Sequence, residues 1–160
     1  MVILVMGVSG SGKTTIGQLL SAQMNWPFLD GDSLHSAANV AKMAAGIPLT
    51  DEDRRPWLES LHEVIQGWIT QHKNGIIASS ALKKTYRQIL VTGPDVKVVY
   101  LHGSYELIYQ RMQHRPGHYM KADMLQSQFA ALEEPVNAIV VDITPPADQI
   151  VAEIRRRLAI

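Results

Sequence analysis

The chain has 160 residues, 46% of them apolar, which is enough for one buried core and excludes a disordered polymer. Its 15 basic and 15 acidic residues cancel, so no field of one sign points to a nucleic acid or a membrane surface. Cysteine is absent, which excludes disulfides and thiolate metal sites and suits a reducing cytoplasm. A single domain over residues 1–160 is expected, cytoplasmic, with small molecules as its partners and no nucleic acid or membrane among them.

Residues 2–6, VILVM, read as a short strand buried on both faces of a parallel sheet. The run is far short of the ~20 apolar residues a membrane span needs, and it lacks the basic flank of a secretory signal. A glycine-rich turn follows. Ile16, Leu19, Leu20 and Met24 then recur at helical spacing from about Lys13. WPFLD, ending at Asp30, is a second strand. Residues 33–46 look helical and stop at Gly46.

Thr50 before Asp51, Glu52 and Asp53 is a helix start, a capping hydroxyl followed by acids at the positive end of the dipole. Pro56 is expected to kink or restart that helix. Trp57, Leu58, Leu61, Val64, Ile65, Trp68 and Ile69 continue it as a core-facing stripe. Strands three, four and five fall at residues 75–79, 97–103 and 138–143. Helices lie between them at about 83–91, 105–113 and 124–132, and a last one runs from about Ala147. Apolar strands alternating with helices give an α/β fold with a parallel sheet and right-handed crossovers. Residues 114–123, HRPGHYMKAD, break the pattern and read as a mobile, polar insertion, a lid over about 114–124.

Residues 7–14, GVSGSGKT, match G-x-x-x-x-G-K-[ST] without a gap, with a strand before and a helix after. Glycines let the backbone curl until successive N–H groups point at phosphate oxygens, and the helix start adds its dipole. Gly7, Val8, Ser9, Gly10, Ser11, Gly12, Lys13, Thr14 and Thr15 are therefore candidates for holding a nucleotide. Lys13 reaches the outer phosphates, and the Thr14 hydroxyl is placed to ligate Mg²⁺. The guanine-reading N-K-x-D and the D-x-x-G of GTPase switches are both absent. Strand three ends in Ala78-Ser79-Ser80, without the acidic end expected of a large ATPase. The small P-loop kinases remain, with ATP and Mg²⁺ as implied cofactors.

Asp30 and Asp32 stand at the carboxyl end of the second strand, where open α/β sheets place ligands. Asp30 suits a metal-bound water, and Asp32 suits the proton of an attacking hydroxyl. His35 follows at the same cleft. Arg111 and Arg115, four apart, can both serve charge on a transferring phosphoryl group. Arg54 and Arg87 are candidates for an anionic acceptor, because a guanidinium matches a carboxylate with two hydrogen bonds. Arg155, Arg156 and Arg157 are consecutive, point around the last helix and read as surface. The base pocket is expected near Arg111 and Pro145, in the loop after the last strand.

DGDSLH (30–35), PLTDEDRRPWL (48–58), SALKKTYRQIL (80–90) and GHYMKADMLQSQFAALEEP (117–135) together resemble the bacterial gluconate kinase family, in its order and over nearly the whole chain. The resemblance implies the nucleoside monophosphate kinase-like fold, a three-layer sandwich with a five-stranded parallel sheet in the order 2-3-1-4-5 and a helical lid. It also implies ATP-dependent phosphorylation of the 6-hydroxyl of D-gluconate, and a homodimer. It supports Lys13 and Thr14 at the nucleotide, Asp32 near the acceptor, and Arg111 and Arg115 at the lid. Arg54, Arg87 and His118 fall within family motifs, with roles toward the acceptor inferred. Ser79 stands where the family often has Cys, and Tyr119 where it often has Phe; both keep size or ring character.

Two other readings stay open on the residues alone. One is a kinase for shikimate or a nucleoside monophosphate, since shikimate kinases also pair Asp-x-Asp with arginines. The other is a non-catalytic nucleotide switch, which would need neither the two aspartates nor the lid arginines.

Overall fold

The computed structural model describes residues 1–114 and 122–160. Five parallel strands form one sheet: β1 (Val2–Met6), β2 (Phe28–Asp30), β3 (Gly75–Ala78), β4 (Val96–His102) and β5 (Ile139–Asp142). Their order is β2-β3-β1-β4-β5, as the resemblance implied. Between them run α1 (Lys13–Met24), α2 (Ala37–Ala44), α3 (Asp51–Thr70), α4 (Lys84–Leu90), α5 (Tyr105–Gln113), α6 (Ala122–Ala131) and α7 (Ala147–Leu158).

β1 sits at the centre because its side chains are apolar on both faces and wholly buried. Val2, Leu4 and Met6 pack with Trp57, Leu58, Leu61 and Ile65 of α3, and with Tyr86 and Leu90 of α4. Ile3 and Val5 face the opposite layer, with Ile16 and Leu20 of α1, Ile108 of α5, and Val151 and Ile154 of α7. The result is three layers, helix, sheet and helix. β5 is the exception to strands buried on both faces. It lies at the sheet edge, Val140 is 45% exposed, and the Val140 carbonyl accepts from Arg157 Nη1 at 2.6 Å.

Two helix expectations are corrected. Residues 33–46 do not form one helix. A 3₁₀ turn spans Gly31–Leu34, and α2 starts afresh after Ser36, whose hydroxyl accepts from the Asn39 N–H at 3.1 Å. The turn exists because the Asp30 carboxylate caps it, accepting from the Asp32 N–H at 3.1 Å. Pro56, in turn, does not restart the helix: α3 runs unbroken for 20 residues. Its missing N–H would have met the Glu52 carbonyl, and both residues are exposed, so the lost bond falls on the solvent side of the helix. The start of α3 is as expected, with Thr50 and Asp53 forming a reciprocal capping box.

The parallel register brings three strand ends to one rim. Ala78 aligns with Val5 on one side and with Asp30 on the other. The loop after β1, the carboxylate closing β2 and the Ser79–Ser80 segment after β3 therefore open side by side. Arg115, His118 and most of the expected insertion lie outside the described residues.

Candidate active site

The loop after β1 is curled by glycines with positive φ, 79° at Gly10 and 100° at Gly12. A side chain at Gly10 would be both strained there and within 2.7 Å of Met112. Lys13 opens α1 and folds its ammonium back over the loop, donating to the carbonyls of Gly7 and Val8, each at 2.9 Å. An ammonium has three N–H bonds, so one is left for a phosphate oxygen. The first-turn N–H groups of α1 lack intrahelical acceptors and face the same space, with the positive end of the helix dipole.

Removal from water pushes the Lys13 ammonium down to about 8, against the pull of Asp32 and Asp30. A bound phosphate would restore its proton. Asp32 is the mirror case. Desolvation in the cleft raises its carboxyl, the Asp30 charge raises it further, and Lys13 and His35 offset part of this. Asp32 is thus a more basic carboxylate than usual, which suits accepting a proton.

The turn that carries Asp32 is held from below. Gly31 has no room for a side chain, since a Cβ would lie 2.7 Å from the Ala78 carbonyl. Trp57 Nε1 donates to the Gly31 carbonyl at 2.7 Å from within the core. The Trp57 ring stacks on His35, centroids 4.2 Å apart and planes within 14°. His35 Nδ1 lies 3.3 Å from Asn39 Nδ2, which also donates to the Asp53 carbonyl at 2.9 Å. An amide nitrogen can only donate, so Nδ1 is the acceptor and Nε2 carries the ring proton. Burial lowers the His35 imidazole and Arg54 lowers it further, while Asp32 opposes them; the net direction favours the neutral ring.

Arg54 reaches the same side from α3. Its Nη1 donates to the Leu49 carbonyl at 2.7 Å and to the Tyr86 hydroxyl at 3.2 Å, which leaves Nη2 and Nε for an anion. Tyr86 in turn donates to Asp51 Oδ1 at 2.5 Å, and Lys83 joins at 3.1 Å. Those two bonds, Tyr86 first, hold the Asp51 carboxyl below the usual range. Arg87 is placed differently. It is 8% exposed, and its Nη1 donates to the carbonyls of Ala81 (2.7 Å) and Leu82 (3.0 Å), its Nη2 to that of Glu133 (2.6 Å). The geometry gives Arg87 a bracing role between the β3–α4 segment and the end of α6, and leaves Arg54 as the arginine open to an acid.

On the other flank of the loop lies an open cleft of about 270 Å³. Its walls include Gly10, Gly12, Thr15, Arg111, Pro145 and Pro146. Arg111 Nη2 donates to the Thr144 carbonyl at 3.3 Å, which sets the guanidinium over this cleft. Val8, Ser9, Ser11 and Thr14 are in or beside the loop, as the motif requires. Sequence reasoning missed Trp57, Asn39 and Tyr86 as supports of the site, and Gln128 as a partner of Ser9. Trp57 had been assigned to the core alone. Only its indole N–H, an obligate donor in an apolar stripe, could have signalled more.

The donor set also bears on a metal. The Thr14 hydroxyl lies 3.5 Å from Asp30 Oδ2, beside the loop. Among the described residues no group of three or more His, Cys, Asp or Glu side chains is placed to hold a metal ion. One hydroxyl and one carboxylate suit Mg²⁺, which keeps several waters and takes its other ligands from substrate phosphates.

A phosphate loop, a raised carboxylate beside its lysine and an arginine-lined rim define a small P-loop kinase. The family model described as Shikimate kinase matches residues 9–159 and marks this class. Within it the similarity is closer elsewhere. The thermosensitive gluconokinase of Escherichia coli (strain K12) is 45% identical over 96% of this chain and 88% of its own. A probable gluconokinase of Mus musculus is 42% identical over 98% of this chain and 97% of its own. The crystal structure of a gluconokinase from Sinorhizobium meliloti 1021 superposes with a TM-score of 0.89 at 41% identity, over 98% of this chain and 90% of that one. The chain belongs to the gluconokinase family.

Proposed function

We propose that the chain transfers the γ-phosphoryl group of ATP to the 6-hydroxyl of D-gluconate, giving 6-phospho-D-gluconate and ADP. The observation that carries the acceptor's identity is the match to gluconokinases along almost the whole chain. The geometry beside it is consistent, with Asp32, His35 and Arg54 on one side of the loop and the Arg111–Pro145 cleft on the other.

In this reading the N–H groups of Gly10 and of Gly12 to Thr15, with the Lys13 ammonium, hold the phosphates, while those of Gly7, Ser9 and Ser11 bond within the protein and shape the loop. Arg111 and Pro145 flank the base. Thr14, and Asp30 through a water, would hold Mg²⁺. Magnesium, when bound, would offset the charge of the phosphate groups. Asp32 orients the 6-hydroxyl and takes its proton as the new oxygen–phosphorus bond forms and the bond to ADP breaks. Arg54 binds the gluconate carboxylate with the Nε and Nη2 edge of its guanidinium, which Leu49 and Tyr86 leave open. His35 offers Nε2–H to an acceptor hydroxyl. Arg111, with Arg115, offsets charge on the phosphoryl group in transit, and His118 contributes to the acceptor's side. A homodimer and a cytoplasmic location, which the family resemblance and the lack of cysteine favour, complete the proposal.

The family model favours one second reading, a shikimate kinase. Incubation with MgATP and ¹³C-gluconate, followed by NMR of the product, separates the two. A phosphate coupled to C6 supports gluconate phosphorylation. No phosphorylated gluconate, with phosphorylation of shikimate under the same conditions, overturns it.

A further inference from the structure

Gln128, on α6, meets the phosphate loop with both atoms of its amide. Its Oε1 accepts from the Ser9 N–H at 2.6 Å, and its Nε2 donates to Ser9 Oγ at 2.8 Å. The two residues are 119 apart in the chain, so no local turn produces this pair. The contact also sets the amide's sense, because the backbone N–H can only meet the amide oxygen.

That N–H belongs to the peptide group joining Val8 to Ser9. The oxygen of the same group accepts from Lys13 Nζ at 2.9 Å. One peptide plane is therefore gripped at both ends, its oxygen by Lys13 and by the Ser11 N–H at 3.2 Å, its N–H by Gln128 alone. If Gln128 let go, the plane could turn and withdraw an acceptor from Lys13, in a loop whose glycines resist little.

Gln128 itself stands on firm support. Leu125, one turn earlier, is 1% exposed in the cluster with Ile108 and Met112. Phe129 lies edge-on to Tyr105, centroids 5.7 Å apart. Just past the helix, the Glu133 N–H donates to the Leu82 carbonyl at 2.8 Å, and Arg87 binds the Glu133 carbonyl. The amide thus reaches the loop from a base tied to the acceptor side of the sheet.

We propose that Gln128 is a positioning residue for phosphoryl transfer: it locks the Val8–Ser9 peptide plane and so aims the Lys13 ammonium at the terminal phosphates. The inference rests on the kinase reading of the site. Gln128→Ala should lower kcat at least tenfold and weaken MgATP binding at least threefold. It should also speed amide hydrogen exchange at Ser9, read by NMR without nucleotide. Gln128→Glu keeps both partners, since the Ser9 hydroxyl can turn and donate to a carboxylate; exchange at Ser9 should stay slow. Its kcat should return to within about threefold of the parent, a rescue by the conservative variant that a merely structural role would not give. Kcat within twofold of the parent in Gln128→Ala, or unchanged exchange at Ser9, would overturn the proposal. So would a kcat in Gln128→Glu as low as that of Gln128→Ala. Exchange at Ser9 needs no substrate, so it judges the lock separately from MgATP binding by the parent protein, which judges the kinase reading.

Discussion

The carboxylate of Asp30 accepts a hydrogen bond from the backbone N–H of Asp32, 3.1 Å away, so one acid holds the turn that presents the other. Two like charges are thereby fixed close together in a cleft that already costs them hydration, and the Asp32 carboxyl is raised as a result. A group kept in an unfavourable state for chemistry should burden the fold. Asp32→Asn is expected to lower kcat by about 10²–10⁴-fold, the range for loss of a general base. MgATP affinity should change little, and the melting temperature should rise. A variant with near-parental kcat would remove Asp32 from its role. A lower melting temperature would contradict the strain.

The pH dependence follows from the same pair. Lys13 loses its proton at about 8 in the free protein. Hence kcat/KM for MgATP should fall above that pH, and it should fall on the acid side as Asp32 is protonated. Stability moves with opposite signs for the two groups. The folded value of Lys13 lies below its ordinary 10.5, so between about 8 and 10.5 the unfolded chain binds more protons and stability rises with pH. Asp32, raised on folding, makes the protein more stable as pH falls through its folded value. Urea melts at pH 7, 8 and 9 check the first sign, with Lys13→Gln as the control in which the rise should be reduced.

Arg54 and Arg87 should respond differently to truncation. Arg87→Ala strands the buried Ala81 carbonyl and removes the bonds to the part-buried Leu82 and Glu133 carbonyls, and should cost about 2–3 kcal/mol of stability, with the gluconate KM nearly unchanged. Arg54→Ala should instead raise the gluconate KM about tenfold, equivalent to about 1.4 kcal/mol. Urea unfolding and gluconate kinetics on both variants decide the matter. An unchanged KM in Arg54→Ala, with a large rise in Arg87→Ala, would exchange the two roles.

Much of this was legible from residue order because the physics is local. VILVM is apolar at every position, so it had to lie between two layers, and GVSGSGKT between a strand and a helix leaves little but a phosphate loop. The helix expected over residues 33–46 failed because side chains of Asp30 and Ser36 compete for backbone N–H groups, and spacing alone does not reveal that competition. The helix does not restart at Pro56 because the cost of a proline depends on whether the carbonyl it leaves unpaired, that of Glu52, lies on a solvent-facing side, which only the packing of α3 decides. The remaining gaps are long-range. Nothing near Arg87 foretells that it faces three carbonyls. Ser9 and Gln128 are 119 residues apart, and only the tertiary fold brings them together.

The central claim is that the acid bound beside Asp32 is gluconate. Its most direct test is ADP release at fixed MgATP across a panel of acceptors that includes D-gluconate, shikimate and nucleoside monophosphates, with an acceptor-free control. The account predicts kcat/KM for D-gluconate at least a hundredfold above the others and little ADP without acceptor. Preference for shikimate or a nucleotide, or turnover that no acceptor changes, would contradict it.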